Sequence, residues 1–414
     1  MRIPGPAVAV EVLLPSRLGR SFRWLLGSSF TSNLGDGIAL AAGPLLVASL
    51  SRDPFVVALA ALLQWLPPLL FALPAGVLSD RLDRRRLILT VDLVRAAVVV
   101  VLVVLVASGD PPVAVVLGVL FVQATAEVFV DNTASTLLPM IVHRDDLALG
   151  NSRLQASFIT VNQLVGPPLG AFLFTLTAFT PFAAQAALAG LAAVLVARIR
   201  TSAPDADRPR SRIRQDLREG FAWTVRHDAV RTLLLTIFVF NLTYGAAWSL
   251  LVLYARDRLG LGAVGFGLVS TTIAAGGLLG TVLYGRLTRW TSLGTIMRAG
   301  LVVETLTHLV LALTRNPFVA LPVFFVFGVH AFVWGTTSIT VRQRAVPLPL
   351  QGRVTALNSV ATYGGLVLGA AIGGFLAQHL GITAPFWWGF LGSAVFLVLI
   401  WRSLSRIAHS DAAR

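Results

Sequence analysis

The chain has 414 residues, of which 56% are apolar and only 13% charged, against about 45–50% and about 25% in soluble domains. That balance excludes an ordinary soluble globular protein and a disordered one, and the absence of cysteine excludes disulfide frameworks, zinc fingers, iron–sulfur clusters and thiol catalysis. The formal charge of +14 comes from 33 arginines, with no lysine, against 19 carboxylates, so the class of partner depends on where those arginines lie.

In chain order, residues 1–23 read as a short cytoplasmic tail rather than a signal peptide. Pro4, Pro6, Glu11 and Pro15 interrupt the stretch, and Arg17, Arg20 and Arg23 follow the apolar residues instead of preceding them. Twelve apolar runs come next, each close to the ~20 residues a spanning helix needs. The first six run from Trp24 to Ser49, Phe55 to Leu78, Leu87 to Ala107, Val113 to Leu138, Leu154 to Phe179 and Pro181 to Ala197. The second six run from Val230 to Leu253, Gly262 to Leu287, Ile296 to Leu313, Pro317 to Thr340, Leu357 to Leu380 and Pro385 to Leu404. None alternates with period 2, so they are helices and not barrel strands. The sequence therefore predicts an all-α membrane protein: a six-helix bundle over 24–197, a cytoplasmic linker over 198–229, a second bundle over 230–404 and a cytoplasmic tail over 405–414. In the linker Ile213, Leu217 and Phe221 recur at helical spacing beside Arg212, Arg214 and Arg218. Either an interfacial helix on anionic lipid or a solvated linker gives that pattern.

The arginines orient the chain. With the N-terminus inside, 28 of the 33 fall on the cytoplasmic side, and only Arg52, Arg256, Arg258 and Arg315 fall outside. The positive-inside rule then places both termini in the cytoplasm of a multi-pass inner (plasma) membrane protein, and the +14 reflects topology, not nucleic acid. The halves also repeat. Arg81-Leu82-Asp83-Arg84 recurs as Arg286-Leu287-Thr288-Arg289 at an offset of 205, Asn151-Ser152 as Asn358-Ser359 at 207, and Gly166 and Gly170 as Gly369 and Gly373 at 203. Two such halves related by an axis along the membrane normal suit a transporter that rocks about a central site.

Gly76-Val77-Leu78-Ser79-Asp80-Arg81-Leu82-Asp83-Arg84-Arg85-Arg86, between the second and third spans, resembles the loop signature G-x-L-x-D-R-x-G-R-R/K of the major facilitator superfamily. Leu34-Gly35-Asp36-Gly37, Leu137-Leu138-Pro139, Gly166-Pro167-Pro168-Leu169-Gly170, Gln343-Arg344-Ala345-Val346-Pro347 and Gly352-Arg353-Val354 resemble its exporter branch, which includes macrolide-efflux and enterobactin-exporter proteins. The resemblance implies two pseudo-symmetric six-helix bundles, with the first, fourth, seventh and tenth spans lining a cavity. It also implies a cytoplasmic gate of Gly76, Asp80, Arg81 and Arg84. Asp80 would meet the start of the eleventh span, Arg81 and Arg84 would pair with Asp131, and Gly76 would allow close helix approach. Asp83 stands where the family has glycine, and the fourth span lacks the family's frequent arginine.

Carboxylates inside a span cost at least about 2.5–3.5 kcal/mol and are functional candidates. Asp36, Glu127 and Asp131, on cavity-lining spans, are the candidates for proton coupling; a hydrogen bond to Asn33 or to a neighbouring helix is the structural alternative for Asp36. Asp92 and Arg95 read as a local ion pair, and Glu304 with His308 as a structural pair. Asn33, Gln123, Asn241, Tyr244, Trp248, Phe327, His330 and Trp334 are candidates for the substrate cavity, an aromatic wall with a few polar groups suiting a bulky amphipathic solute; packing is the competing reading for the aromatics. Gly276/Gly280 and Gly365/Gly369/Gly373 read as helix packing surfaces.

No phosphate-binding loop, G-x-S-x-G or H-E-x-x-H occurs, and no cofactor or metal set is indicated. The expectation is a secondary exporter of an amphipathic small molecule of the drug, macrolide or siderophore class, working by proton antiport as a monomer. A proton-coupled importer is the alternative.

Overall fold

The computed structural model describes residues 16–109, 111–199 and 213–407, and every regular element among them is helical. Helices α1 (Gly19–Leu50), α2 (Pro54–Arg81), α3 (Arg84–Ala107) and α4 (Val113–Ile141) come first. Next is α5, a composite rod of α-helical Leu147–Ser157, π-helical Phe158–Val165 and α-helical Gly166–Leu176, and then α6 (Thr180–Val196). Within the polar middle stretch lies α7 (Ile213–Arg226). The remainder is α8 (Asp228–Trp248, followed by Leu251–Leu253 and a π turn Tyr254–Arg258), α9 (Ala263–Trp290), α10 (Leu293–Leu313), α11 (Pro317–Ala345), α12 (Gln351–Leu380) and α13 (Ala384–Ile407).

Eleven helical segments among the described residues are long and apolar enough to cross a bilayer. The other apolar helix, α6, has 17 residues, the short end of the spanning range. Several helices outrun the apolar stretches that predict them: α4 continues to Ile141 and α11 to Ala345. A helix satisfies its own backbone, so it need not stop where the apolar run stops. Caps end them where sequence supplies one. Asp83 is extended (φ −61°, ψ 112°) and accepts a 2.8 Å hydrogen bond from the Arg86 N–H, so the residue that replaces the family's glycine starts α3 as its N-cap. Ser292 caps α10 and Asn316 caps α11 in the same way.

The chain divides into two compact units: Met1–Leu46 with Leu70–Arg208, and Val47–Leu69 with Pro209–Arg414. The repeat in the sequence is visible inside each. In the N-terminal unit α5 lies on α1 through glycine: a Cβ on Gly37 would stand 2.6 Å from the Asn162 carbonyl oxygen, and one on Gly170 would overlap the Ile38 carbonyl. In the C-terminal unit α12 lies on α8 by the same device, with a Cβ on Gly245 falling 2.5 Å from the Leu366 oxygen and Gly369 and Gly373 facing the backbone of Leu242 and Ala246. Gly276 and Gly280 of α9 meet Phe325 and Val329 of α11 in this way too.

Gly76 differs. A Cβ there would meet nothing within 4 Å, so close helix approach, expected from the sequence, is not what this glycine provides. The side chains of Asp80 and Arg81 lie outside the described residues, as do Arg212 and the tails over 1–15 and 408–414.

The polar helix α7 packs by its Trp223 into a small core of Val230, Val346 and Val354. Glu219 pairs with Arg353 at 2.6 Å, and Gly220 sits against the same arginine. Phe221 and Val225, four apart, stay exposed; the side chains of Ile213, Arg214 and Leu217 are not among those described.

Candidate functional site

In the N-terminal unit the intramembrane charges converge on Arg95. This residue points inward from α3 and is 1% exposed. Its guanidinium donates to the Asp36 carboxylate of α1, to Ser32 Oγ at 3.2 Å and to Gln123 Oε1 of α4 at 3.1 Å. Gln123 returns a 3.1 Å bond from its amide to the Arg95 carbonyl. Asp92, one turn before Arg95 and fully buried, lies 3.8 Å from the same guanidinium, with neither carboxylate oxygen hydrogen-bonded. Glu127 and Asp131, four apart on α4, lie in the field of Arg95; Glu127 is half-buried and Asp131 exposed.

One expectation changes here and another is narrowed. The Asp92–Arg95 pair is not merely local, because Arg95 spends its strongest contacts on Asp36 and Gln123. Of the two partners expected for Asp36 it is the neighbouring helix, through Arg95, that holds it and not Asn33, whose side-chain amide donates to the Ser29 carbonyl at 2.7 Å while its backbone carbonyl accepts from Asn162. The fourth span lacks an arginine, and a buried arginine stands on the third. Its signal in the sequence was its depth alone: an arginine eleven residues into an apolar helix needs a counter-charge, and spacing could not say from which helix. Arg84, a predicted gate residue, reaches the Met140 sulfur at 2.8 Å; Arg85 donates to the Ala197 carbonyl.

In the C-terminal unit the predicted aromatic wall is mostly interior. Trp248, Phe327, His330 and Trp334 are buried, and Asn241 and Tyr244 are half-buried. Tyr244, Trp248 and Phe327 form a cluster of three mutually touching rings, with centroids 4.5 Å (Tyr244–Trp248), 4.6 Å (Trp248–Phe327) and 5.7 Å (Tyr244–Phe327) apart, and Phe240 stacks on Trp334 at 5.4 Å. Such packing gives a rigid aromatic face, and the Asn241 amide is spent on the Ile237 carbonyl at 2.7 Å. Behind the wall Glu304 stands between two histidines: His308 of its own helix at 3.6 Å and His330 of α11 at 3.7 Å. The sequence paired Glu304 with His308 and assigned His330 to the cavity; the fold joins all three.

The family of transmembrane secretion effectors within the MFS transporters matches residues 15–413. The chain belongs to that family. It is a transporter, not an enzyme, and a multi-pass membrane protein acting on small molecules. It is similar to the multidrug efflux pump Tap of Mycolicibacterium fortuitum, with 29% identity over 87% of this chain and 90% of that one. It is similar also to macrolide efflux protein A of Streptococcus pyogenes, with 22% identity over 83% and 86%. Among solved structures, a bacterial homologue of the iron transporter ferroportin in an inward-facing state superposes with a TM-score of 0.74 at 17% identity, covering 93% of this chain and 99% of that one. At that identity the likeness shows the MFS fold alone.

Proposed function

We propose that this family member is a secondary active exporter of an amphipathic small molecule of the drug, macrolide or siderophore class, exchanging it for protons by alternating access. The observation that carries the reading is the pair of buried carboxylates, Asp36 and Asp92, at the single guanidinium of Arg95, with Glu127 and Asp131 on the neighbouring helix α4. One arginine offsets one negative charge. In a low-dielectric site the second buried carboxylate is neutralised by binding a proton, which makes the cluster a store that can load on one side and discharge on the other. The names of the relatives support export as the direction.

In this reading Asp36, Glu127 and Asp131 exchange the proton and Arg95 responds to it: protonation of Asp36 releases the guanidinium to the α4 carboxylates. Asn33 and Gln123 in one unit, and Asn241 and Tyr244 backed by Trp248, Phe327, His330 and Trp334 in the other, supply the polar and aromatic groups for an amphipathic solute. Gly76, Asp80, Arg81 and Arg84 form the cytoplasmic gate. Twelve spans arranged as halves over 24–197 and 230–404, with both termini cytoplasmic and a monomeric working unit, complete the proposal.

The test is substrate-dependent proton flux in proteoliposomes over a panel of macrolides, cationic dyes and siderophores. Export with counter-flow of protons, lost in Asp36→Asn while the protein still folds, is expected. Full proton-driven export by Asp36→Asn would remove this cluster from the mechanism.

A further inference from the structure

The Glu304 cluster lies entirely within the C-terminal unit. Both carboxylate oxygens of Glu304 are buried and make no hydrogen bond. Among the described residues the titratable groups facing it are His308 on its own helix, Tyr244 on α8 and His330 on α11, and α13 brings the Ser393 hydroxyl and apolar side chains. No guanidinium stands among these described groups. The protein itself therefore offers this carboxylate a counter-charge through a proton, on its own oxygen or on an imidazole.

The surroundings are built for this. A Cβ on Gly389 would overlap the His308 ring, and one on Gly300 would stand 2.7 Å from His330 Nδ1, so two glycines make room for two rings. His308 sets Nδ1 3.0 Å from the Glu304 carbonyl and Nε2 3.3 Å from the Thr243 carbonyl. Two acceptors face two ring nitrogens, and only an imidazolium donates to both. A crevice between α8, α10 and α13 has Glu304 in its wall, with the hydroxyls of Thr236, Thr243, Thr305 and Ser393 set among apolar side chains that include Leu301 and Phe396. Each of these hydroxyls donates to its own helix backbone, which leaves its lone pairs free to accept from water.

We infer that Glu304, with His308 and His330, is a second proton-binding site, reached through this crevice. A proton delivered from bulk solvent as hydronium along the crevice forms an O–H bond on the Glu304 carboxylate, whose charge goes from −1 to 0, and leaves a water behind; the two imidazoles within 4 Å are the alternative acceptors of the same proton. The use of this proton in transport rests on the antiport reading; its binding does not.

The experiment is infrared difference spectroscopy of the purified full chain in lipid, stepped between acid and alkaline buffer. A carboxylic C=O band present in the wild type, lost in Glu304→Gln and kept in Asp36→Asn, supports the site. His330→Gln, which retains the carboxyl, should move the titration midpoint of that band, and serves where Glu304→Gln does not fold. Identical carboxylic bands in wild type and Glu304→Gln, or an unmoved midpoint in His330→Gln, would overturn the inference. So would loss of the band on adding one equivalent of Zn²⁺ to chelator-treated protein, which would make the three residues a cation site. Loss of proton antiport with the Glu304 band intact would instead count against the transport reading alone.

Discussion

Replacing Arg95 by methionine removes a guanidinium that offsets two buried carboxylates at once. Asp36 is 9% exposed and Asp92 0%, and Asp92 has no hydrogen bond to fall back on. Breaking a buried ion pair by deleting one partner costs about 3–5 kcal/mol, or roughly two to three and a half orders of magnitude in the unfolding equilibrium at 1.4 kcal/mol per tenfold. Asp36→Asn should cost less, because Arg95 keeps Asp92 at 3.8 Å and Gln123 at 3.1 Å. The double variant Arg95→Met/Asp36→Asn should therefore be more stable than the sum of the single losses predicts. Reversible unfolding in mixed micelles, followed through the nine tryptophans, gives the cycle directly. Additive losses would refute the reasoning, since residues that do not interact add.

The glycines make a graded set. Gly37→Ala and its repeat partner Gly245→Ala should each lose about 1–3 kcal/mol from overpacking against carbonyl oxygens, whereas Gly76→Ala, with open space around it, should gain up to about 1 kcal/mol from helix propensity; the same unfolding assay ranks them, and a destabilised Gly76→Ala would show a contact the fold does not. Asp83→Gly should cost about 0.5 kcal/mol or less, glycine being a tolerable N-cap, and Asp83→Ala about 1 kcal/mol. Arg353→Ala should change stability by no more than about 1 kcal/mol, because its pair with Glu219 is partly exposed. Asp80→Asn should shift spin-label distance distributions across the cytoplasmic loops, and an unchanged distribution would remove Asp80 from the gate.

The helices were legible because each apolar run declares itself locally, and the repeat was legible because Gly166/Gly170 and Gly369/Gly373 hold one offset. What connects helices was not. Arg95 and Asp36 are 59 residues apart, and nothing in either neighbourhood names the other. His330 looked like a cavity residue because its own helix shows only Phe327 and Trp334 beside it; its tie to Glu304 exists only once α10 and α11 are packed. Asp83 is the opposite case. Judged against a family pattern it looks like a defect, whereas judged as the residue three before Arg86 it is an ordinary cap.

The paired contacts of α1 with α5 and of α8 with α12 carry a mechanical consequence. Backbone touches backbone at Gly37, Gly170, Gly245 and Gly373, with no side chain between that could change rotamer and let one helix slide past the other. Each pair is therefore a strut that turns as one piece. In the alternating-access cycle proposed above, the bending falls to the helices that lack such seams.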